Sequence, residues 1–227
     1  MALLSSVHYG ENVSNAFWDG RQTVFGDGEN PYFHRFTRAL DVAAHEMTHG
    51  VINFSSRLEY HDQPGALNES FCDVMGALVE QWHRKESAQD ASWCTGRDLI
   101  GPDLGTHVKG IRTFREDKAF EGHPVLGTDP QPKHFNEIFT GTADNGGVHI
   151  NSGIPNHAFY RLARSLGGNA WEKAGSIWYE LMIGLAPQAG FVDAARRSYE
   201  IAGRRYGVGS REQKAVSEGW QAVGIGL

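Results

Sequence analysis

The chain has 227 residues, 40% hydrophobic and 21% charged, which is enough for the core of one large domain or two small ones. The 21 Lys and Arg against 27 Asp and Glu give a net charge of −6, without the basic cluster of a nucleic-acid-binding protein. No apolar run is long enough to cross a bilayer, and residues 1–20 lack the basic start and apolar core of a signal peptide.

The first segment, residues 6–30, is rich in Gly, Asn and aromatic residues and contains two Asp-Gly pairs, Asp19-Gly20 and Asp27-Gly28. Such pairs favour tight turns between short strands. The segment therefore predicts two hairpin-like runs in a small antiparallel sheet that caps the core.

Residues 41–49, DVAAHEMTH, contain two histidines spaced four apart, which places both imidazoles on one face of a helix. His45 and His49 could then bind one metal ion, with Glu46 beside its open position. A zinc ion there would lower the pKa of a bound water from about 16 toward about 7, and a carboxylate could take the proton. The His-Glu-x-x-His pattern also occurs by chance, so a metal site requires a third ligand.

That ligand is predicted on the next helix, at about residues 65–86, after a turn containing Asp62 and Pro64-Gly65. Glu69 lies 20 residues beyond His49 and supplies the carboxylate that a catalytic zinc needs. Asp73 follows four residues later on the same face, where it can accept a hydrogen bond from a ligating histidine. Without the preceding His-Glu-x-x-His helix, Glu69 and Asp73 would indicate only the solvent-exposed face of an amphipathic helix.

The helix that carries the histidines is predicted to be buried at the centre of the protein, because Val42, Ala43, Met47 and Val51 are apolar. Cys72 and Cys94 could pair in a secreted protein, but nothing in the sequence indicates that they meet, and we predict no disulfide.

The remainder divides into an irregular segment, residues 99–143, and a helical region from residue 154 to the end. Between them, Gly146 and Gly147 allow a tight loop that could bring His149 into a cleft formed elsewhere. The C-terminal helices carry no evident chemistry and are predicted to form the bundle against which the site is built.

Three separated motifs, in this order, resemble the thermolysin family of zinc endopeptidases. They are HEMTH (residues 45–49), GALNE (residues 65–69) and DNGGVHINSG (residues 144–153). The resemblance extends over nearly the whole chain, from residue 6 to the last helix. It implies an α+β fold, with a mainly α-helical C-terminal bundle, a small N-terminal β-rich part and the zinc site in the cleft between them.

The resemblance implies a role for each motif residue in peptide hydrolysis. His45, His49 and Glu69 would bind Zn²⁺, Glu46 would be the general base, and Asp73 would orient a ligand. Tyr60 and His149 would donate hydrogen bonds to the oxyanion that forms from the peptide carbonyl, with Asp144 holding the His149 ring. Donors of this kind are worth about 3 kcal/mol each.

The resemblance also implies the substrate contacts. Asn15 and Ala16 would belong to an edge strand that pairs with the substrate backbone, and Arg112 would hold a substrate carbonyl. The residue after the cleaved bond would enter an apolar pocket formed by Phe33, Phe36, Val42 and Ile111. The protease would therefore cleave on the amino side of bulky apolar residues.

Calcium is also implied, since two acidic ligands of family members match Asp41 and Glu80. Ser92, Cys94 and Arg97 stand where further ligands would fall, although Ca²⁺ requires six to eight oxygens. We therefore expect a lost or weakened calcium site, with Arg97 paired to Asp41 or Glu80.

The predicted organisation is a remnant of a β-rich domain with the substrate strand (1–40), the central zinc helix (41–56) and the helical domain (57–227). Family members begin with a longer β-rich segment preceded by a secretion signal and a pro-segment. The family resemblance implies secretion, polypeptide substrates and a monomer, without nucleic-acid or membrane partners.

Two alternatives to a catalytically active protease are compatible with the sequence. The chain could be a zinc-binding remnant that holds peptides without cleaving them, because the shortened start could spoil the cleft. It could also be a helical interaction protein with an accidental His-Glu-x-x-His, but this would require four separate coincidences, at Glu69, Asp73, Asp144 and His149.

Overall fold

The β-rich part lies at the start of the computed structural model, which describes residues 3–227; the first two residues of the predicted 1–40 segment lie outside it. Strands β1 (Ser5–Ser6), β2 (Ala16–Trp18) and β3 (Thr23–Phe25) form one sheet in the order β1-β3-β2. β2 and β3 are antiparallel and form the first predicted hairpin, with the Asp19 carboxylate accepting the backbone N–H groups of Arg21 and Gln22. β1 pairs with β3 in parallel, so the second predicted hairpin does not form.

Helices make up most of the rest of the chain, and the α+β class predicted from the sequence is confirmed. Their bounds are α1 Leu40–Asn53, α2 Asp62–Arg84, α3 Ala143–Asn151, α4 Gly153–Leu166, α5 Lys173–Gly184, α6 Phe191–Tyr206 and α7 Arg211–Ala222. The predicted irregular segment, residues 99–143, contains short 3-10 turns and strand β5 (Arg112–Thr113), and α3 begins at its last residue. β5 pairs with β4 (Cys94–Thr95), which precedes the segment, in a two-stranded sheet. None of the helices in residues 3–227 is both long enough and apolar enough to span a bilayer.

α1 and α2 approach each other closely at Gly76. A β-carbon at Gly76 would lie 2.4 Å from the carbonyl oxygen of Asp41, so any larger residue would push the two helices apart. This close packing sets the register that brings acidic residues of α2 opposite the histidines of α1.

The main hydrophobic core lies behind α2, among the C-terminal helices. Trp93, Trp178 and Trp220 are almost completely buried there, and the last two stack with ring centroids 5.6 Å apart. α2 therefore rests on a rigid bundle, as predicted.

α1 is buried on one side only, which corrects the prediction from its apolar pattern. Val42 is 5% exposed, but Met47 and Val51 are 44% and 41% exposed. The sheet covers only part of the outer face of α1, where the Trp18 ring lies over Gly50. An apolar pattern marks a helix face but does not show whether another element covers it.

Candidate metal centre and active site

Three side chains from α1 and α2 converge with their polar atoms at nearly equal distances. His45 Nε2 and His49 Nε2 are 3.2 Å apart. Glu69 Oε2 lies 3.4 Å from His45 Nε2, and Glu69 Oε1 lies 3.4 Å from His49 Nε2. The i, i+4 spacing on α1 and the register of α2 thus bring together the three ligands predicted from the sequence.

This triangle fits zinc. Tetrahedral ligands about 2.0–2.1 Å from Zn²⁺ are about 3.3 Å from one another. The separations of 3.2 Å, 3.4 Å and 3.4 Å are close to this value, with each histidine facing a different oxygen of Glu69. Glu69 is 1% exposed, and its Oε2 has no hydrogen-bond partner within residues 3–227. A buried carboxylate oxygen without a partner is costly, and a metal ion at this position would satisfy it.

Each histidine is oriented by an acceptor on α2. His45 Nδ1 donates to Asp73 Oδ1 at 3.0 Å, as predicted, and His49 Nδ1 donates to Asn68 Oδ1 at 2.9 Å. Because both Nδ1 atoms carry the proton, both Nε2 lone pairs can face the metal position. The sequence interpretation missed Asn68, although the second histidine also needed an acceptor and Asn68 directly precedes the third ligand.

Burial and the neighbouring carboxylates have opposite effects on the pKa values of His45 and His49. Burial alone would lower the pKa of His45, but Asp73 and Glu69 outweigh it and raise that pKa to about 10. For His49 burial dominates and lowers the pKa to about 4. Without a metal ion His45 therefore carries a second proton, on Nε2, and a bound metal ion would displace this proton and leave the one on Nδ1.

Asp73 is completely buried and has four polar contacts. Besides His45, its oxygens accept bonds from Arg112 Nε at 2.8 Å, Arg112 Nη2 at 2.6 Å and Asn156 Nδ2 at 2.9 Å. Burial opposes ionisation, but Arg112 and His45 outweigh it and hold the pKa of Asp73 well below its usual range. No sequence pattern pointed to Asn156, which lies 83 residues away on α4.

Glu46 lies beside the ligands, and its carboxylate accepts no hydrogen bond from any donor in residues 3–227. The residue is 6% exposed, and burial, partly offset by the charge of His45, raises the pKa of its carboxyl above the ordinary value. A carboxylate with a raised pKa and free lone pairs facing a cavity is suited to accept a proton.

Tyr60, His149 and Asp144 form a second group next to Glu69. Tyr60 Oη donates to Glu69 Oε1 at 2.5 Å and lies 3.3 Å from His149 Nε2. Burial, reinforced by the charge of Glu69, raises the pKa of Tyr60 well above its usual value, so its O–H remains a donor. His149 Nδ1 donates to Asp144 Oδ1 at 2.6 Å, which fixes the ring.

The turn that presents His149 is left-handed over four consecutive residues, from Asp144 to Gly147, with φ values of 54°, 50°, 80° and 83°. Glycine adopts this region freely, which explains the pair at Gly146 and Gly147. Right-handed helical geometry begins only after this turn. The His149 N–H also donates to Asp144 Oδ2 at 2.7 Å, so one carboxylate holds both the backbone and the ring.

An open cavity of about 800 Å³ exposes this group to solvent. The lining includes Ala16 and Trp18 of β2 at the edge of the sheet, Asn15 directly before β2, and the end of α1 with the following turn. The structure thus places the predicted substrate strand, Glu46, Tyr60 and the predicted zinc ligands along one cleft.

Comparison with known proteins identifies the family. Family models described as the catalytic domain and the α-helical domain of thermolysin metallopeptidases match residues 1–53 and 56–225. The chain belongs to the thermolysin metallopeptidase family. The resemblance inferred from the three sequence motifs is thereby confirmed.

Individual relatives in this family are similar over almost all of the chain. An extracellular metalloprotease of Pectobacterium carotovorum subsp. carotovorum is 44% identical over 99% of this chain and 64% of its own length. A thermolysin of Alicyclobacillus acidocaldarius is 35% identical over 99% of this chain and 40% of its own length. The solved precursor of protealysin, a metalloproteinase from Serratia proteamaculans, is 44% identical with a TM-score of 0.93, over 98% of this chain and 69% of that one. The chain thus spans less than two thirds of the length of these two curated relatives.

The residues that the thermolysin resemblance assigns to an apolar pocket lie outside the described cavity lining. Phe36 and Val42 are 6% and 5% exposed and pack with Phe33 in a small core cluster. Ile111 is half-buried against Gly96, whose N–H binds the Asp41 carboxylate. Phe33 and Ile111 are the two residues of this set whose side chains are only partly buried and could contact a ligand.

The two acids assigned to calcium binding already have partners. Asp41 Oδ2 accepts the Gly96 N–H at 2.6 Å, and Glu80 Oε1 lies 2.8 Å from Arg84 Nη2. The expected partner Arg97 is farther away, at 4.0 Å from Glu80. The sequence interpretation missed Arg84 because it lies one turn along α2 rather than in the calcium loop. Burial, with the charge of Asp41, raises the pKa of Glu80 to about 7.

Cys72 lies behind the three predicted metal ligands rather than among them. Its thiol is within 4.8 Å of histidine ring nitrogens, but it donates to Asn68 Oδ1, the atom that accepts from His49 Nδ1. The Cys72 thiol therefore lies on the Nδ1 side of the His49 ring, away from the point where the Nε2 atoms of His45 and His49 approach each other. Burial raises the pKa of Cys72 well above its usual value, and both Cys72 and Cys94 are free thiols.

Proposed function

We propose that this chain is a zinc-dependent endopeptidase that hydrolyses peptide bonds in proteins. The observation that carries the proposal is the tetrahedral spacing of His45, His49 and Glu69 beside the unpaired Glu46 carboxylate, at the base of an open cleft. Peptide hydrolysis requires an activated water, a base and donors for the developing oxyanion, and this cleft offers a residue for each.

In the proposed mechanism, His45, His49 and Glu69 would hold a zinc ion, which would supply an acidified water and polarise the peptide carbonyl. Glu46 accepts the proton of the attacking water and later delivers it to the leaving amine. Tyr60 and His149 donate hydrogen bonds to the carbonyl oxygen as it gains negative charge, and Asp144 keeps the His149 ring in place. Asp73 and Asn68 keep the two ligating rings in the tautomer that binds metal.

The substrate backbone would pair with the open side of β2 through Asn15 and Ala16. Arg112 supports a further contact, because Asp73 engages its Nε and Nη2, while Nη1 has no partner within residues 3–227 and is free to donate to a substrate carbonyl. Phe33 and Ile111, backed by Phe36 and Val42, would receive a bulky apolar residue directly after the cleaved bond.

The test is cleavage of an internally quenched peptide with Leu or Phe directly after the expected bond. The zinc-loaded chain is expected to cleave it, to lose activity with a zinc chelator and to regain it when zinc is restored. If the chain binds zinc but cleaves no such peptide, the alternative of a peptide-binding remnant is the correct one.

Removing either oxyanion donor is expected to slow cleavage. The variants Tyr60→Phe and His149→Ala should each lower kcat about a hundredfold, with little change in KM, because the lost hydrogen bond forms mainly in the transition state. Steady-state kinetics on the quenched peptide check this, with Tyr179→Phe, an exposed tyrosine of α5, as the matched control. A tenfold rise in KM at unchanged kcat would instead place these residues in ground-state binding.

Calcium is expected to stabilise this chain only weakly, because Arg84 already neutralises Glu80 and backbone N–H groups already bind Asp41. Millimolar Ca²⁺ should change the free energy of unfolding by less than about 1 kcal/mol. The Arg97→Glu variant, which returns a carboxylate to the expected ligand loop, should respond more strongly. Thermal unfolding with and without Ca²⁺ measures both, and a large rise in Tm for the parent chain would contradict the proposed loss of the site.

Secretion is proposed from the family, in which the Pectobacterium relative is described as extracellular. We also propose that the protein acts as a monomer on polypeptide substrates. Its net charge of −6 gives no support for a nucleic-acid partner.

A further inference from the structure

The lining of the cleft contains one strongly basic residue that the proposed mechanism does not use, Arg57. It follows α1 and lies on the lining of the cavity, together with Phe54 and Leu58. No other Lys or Arg of residues 3–227 lines this cavity, and its only carboxylates, Glu46 and Glu69, belong to the proposed catalytic group.

The Arg57 side chain is free to bind a ligand. It is exposed, and no carboxylate in the described part of the chain lies within 4.0 Å of its guanidinium. It also makes no side-chain hydrogen bond within that part. By contrast, the other arginine near the metal centre, Arg112, is engaged with Asp73 through two of its nitrogens.

The backbone holds Arg57 firmly in this position. Its φ is +56°, a left-handed conformation that non-glycine residues seldom adopt, and its N–H donates to Ile52 O at 2.9 Å. The neighbours on either side, Ser56 and Leu58, are each only 5% exposed. The turn is therefore anchored, and the backbone of Arg57 has a fixed place beside the cleft, from which its side chain can reach a ligand.

The position of the metal ligands shows which part of a substrate would meet this charge. Phe33 and Phe36 do not line the cavity, and the proposed function assigns them to the residue after the cleaved bond. We therefore expect a peptide whose carbonyl lies at the proposed catalytic group to place the residues before that bond in the cavity, whose lining includes Trp18 and Arg57.

We propose, on the basis of the proposed function, that Arg57 is a specificity-determining residue that favours Asp or Glu among the three substrate residues before the cleaved bond. A guanidinium can donate two parallel hydrogen bonds to a carboxylate. The chain as a whole carries excess negative charge, so without Arg57 an acidic peptide would be repelled.

The experiment uses quenched peptides with Leu after the cleaved bond and either Glu or its neutral isostere Gln at one of the three preceding positions. The ratio of kcat/KM for Glu over Gln should be about tenfold at one of these positions for the zinc-loaded parent chain. The ratio should fall to about one in Arg57→Gln, drop below one in Arg57→Glu and be partly retained in Arg57→Lys. It should also shrink as salt is raised.

Arg196→Gln is the matched control, because Arg196 is exposed on α6 and lies outside this cavity, and its substitution removes the same unit of charge. It should leave the Glu over Gln ratio unchanged. A ratio within twofold of one at all three positions in the parent chain would overturn the proposal, as would equal ratios in the parent and Arg57→Gln.

Binding of the same peptides, measured by fluorescence anisotropy on zinc-loaded chain, separates this proposal from the proposed function. If the chain cleaves nothing but binds the Glu peptide more tightly than the Gln peptide in an Arg57-dependent manner, the role of Arg57 stands and the catalytic proposal fails. If cleavage occurs without any dependence on Arg57, the reverse holds.

Discussion

The Glu46→Gln variant is expected to lose hydrolysis about 10²–10⁴-fold while it still binds zinc. Glutamine keeps the shape of the side chain but cannot accept a proton, and Glu46 is not one of the three converging ligands. Nothing in residues 3–227 depends on its carboxylate for a hydrogen bond, so the fold should be unaffected. Cleavage of the quenched peptide and zinc titration, carried out side by side, measure the two properties.

Glu218→Gln, which neutralises an exposed carboxylate on α7, provides the control for the change in net charge. It should behave as the parent chain does. If Glu46→Gln kept more than a tenth of the parent rate, Glu46 would not be the proton acceptor, and another group in the cleft would have to take that role.

The Asp73→Asn variant is expected to lose the most stability and to bind zinc less tightly. The change leaves the Arg112 guanidinium, which is 17% exposed, without its charge partner. Breaking a buried pair in this way costs about 3–5 kcal/mol. It also weakens the contact that orients His45, for which a loss of about 10–100-fold in metal affinity is typical. Urea unfolding and competition with a zinc chelator measure these effects.

A double variant, Asp73→Asn with Arg112→Gln, distinguishes the two causes. It should recover part of the lost stability, because the unpaired charge is gone, but it should not recover zinc affinity. A single Asp73→Asn variant within about 1 kcal/mol of the parent chain would show that water or Asn156 compensates Arg112, and that the buried pair is not needed for folding.

Much of the proposed catalytic centre follows from local spacing, and the sequence therefore predicts it. Histidines four apart on a helix share a face whatever the helix packs against, and a catalytic zinc needs a third ligand, so residue spacing and ligand chemistry are enough to propose Glu69 and Asp73. The structure brings His45, His49 and Glu69 within 3.4 Å of one another, as this reasoning required.

Contacts between distant segments could not be obtained in this way. Asn156 reaches Asp73 across 83 residues, and Arg84 rather than Arg97 is the nearer partner of Glu80, because both contacts depend on how whole helices pack. Asn68 lay within a motif, but its bond to His49 depends on the rotation of α2 about its axis.

The sequence by itself determined the helical segments and the residues proposed as metal ligands and proton acceptor, since these rest on periodicity, on residue spacing and on the chemistry of each side chain. The α+β class followed from the resemblance of three sequence motifs to a known family. Only the tertiary structure decided which apolar faces are covered, and it leaves Met47 and Val51 exposed. It also decided where a charged side chain has no partner, and it places the unpaired Arg57 in the lining of the cleft. The physical reason is that a side chain is buried or paired only if a second segment of the chain packs against it. A sequence pattern describes the first segment but not the segment that covers it.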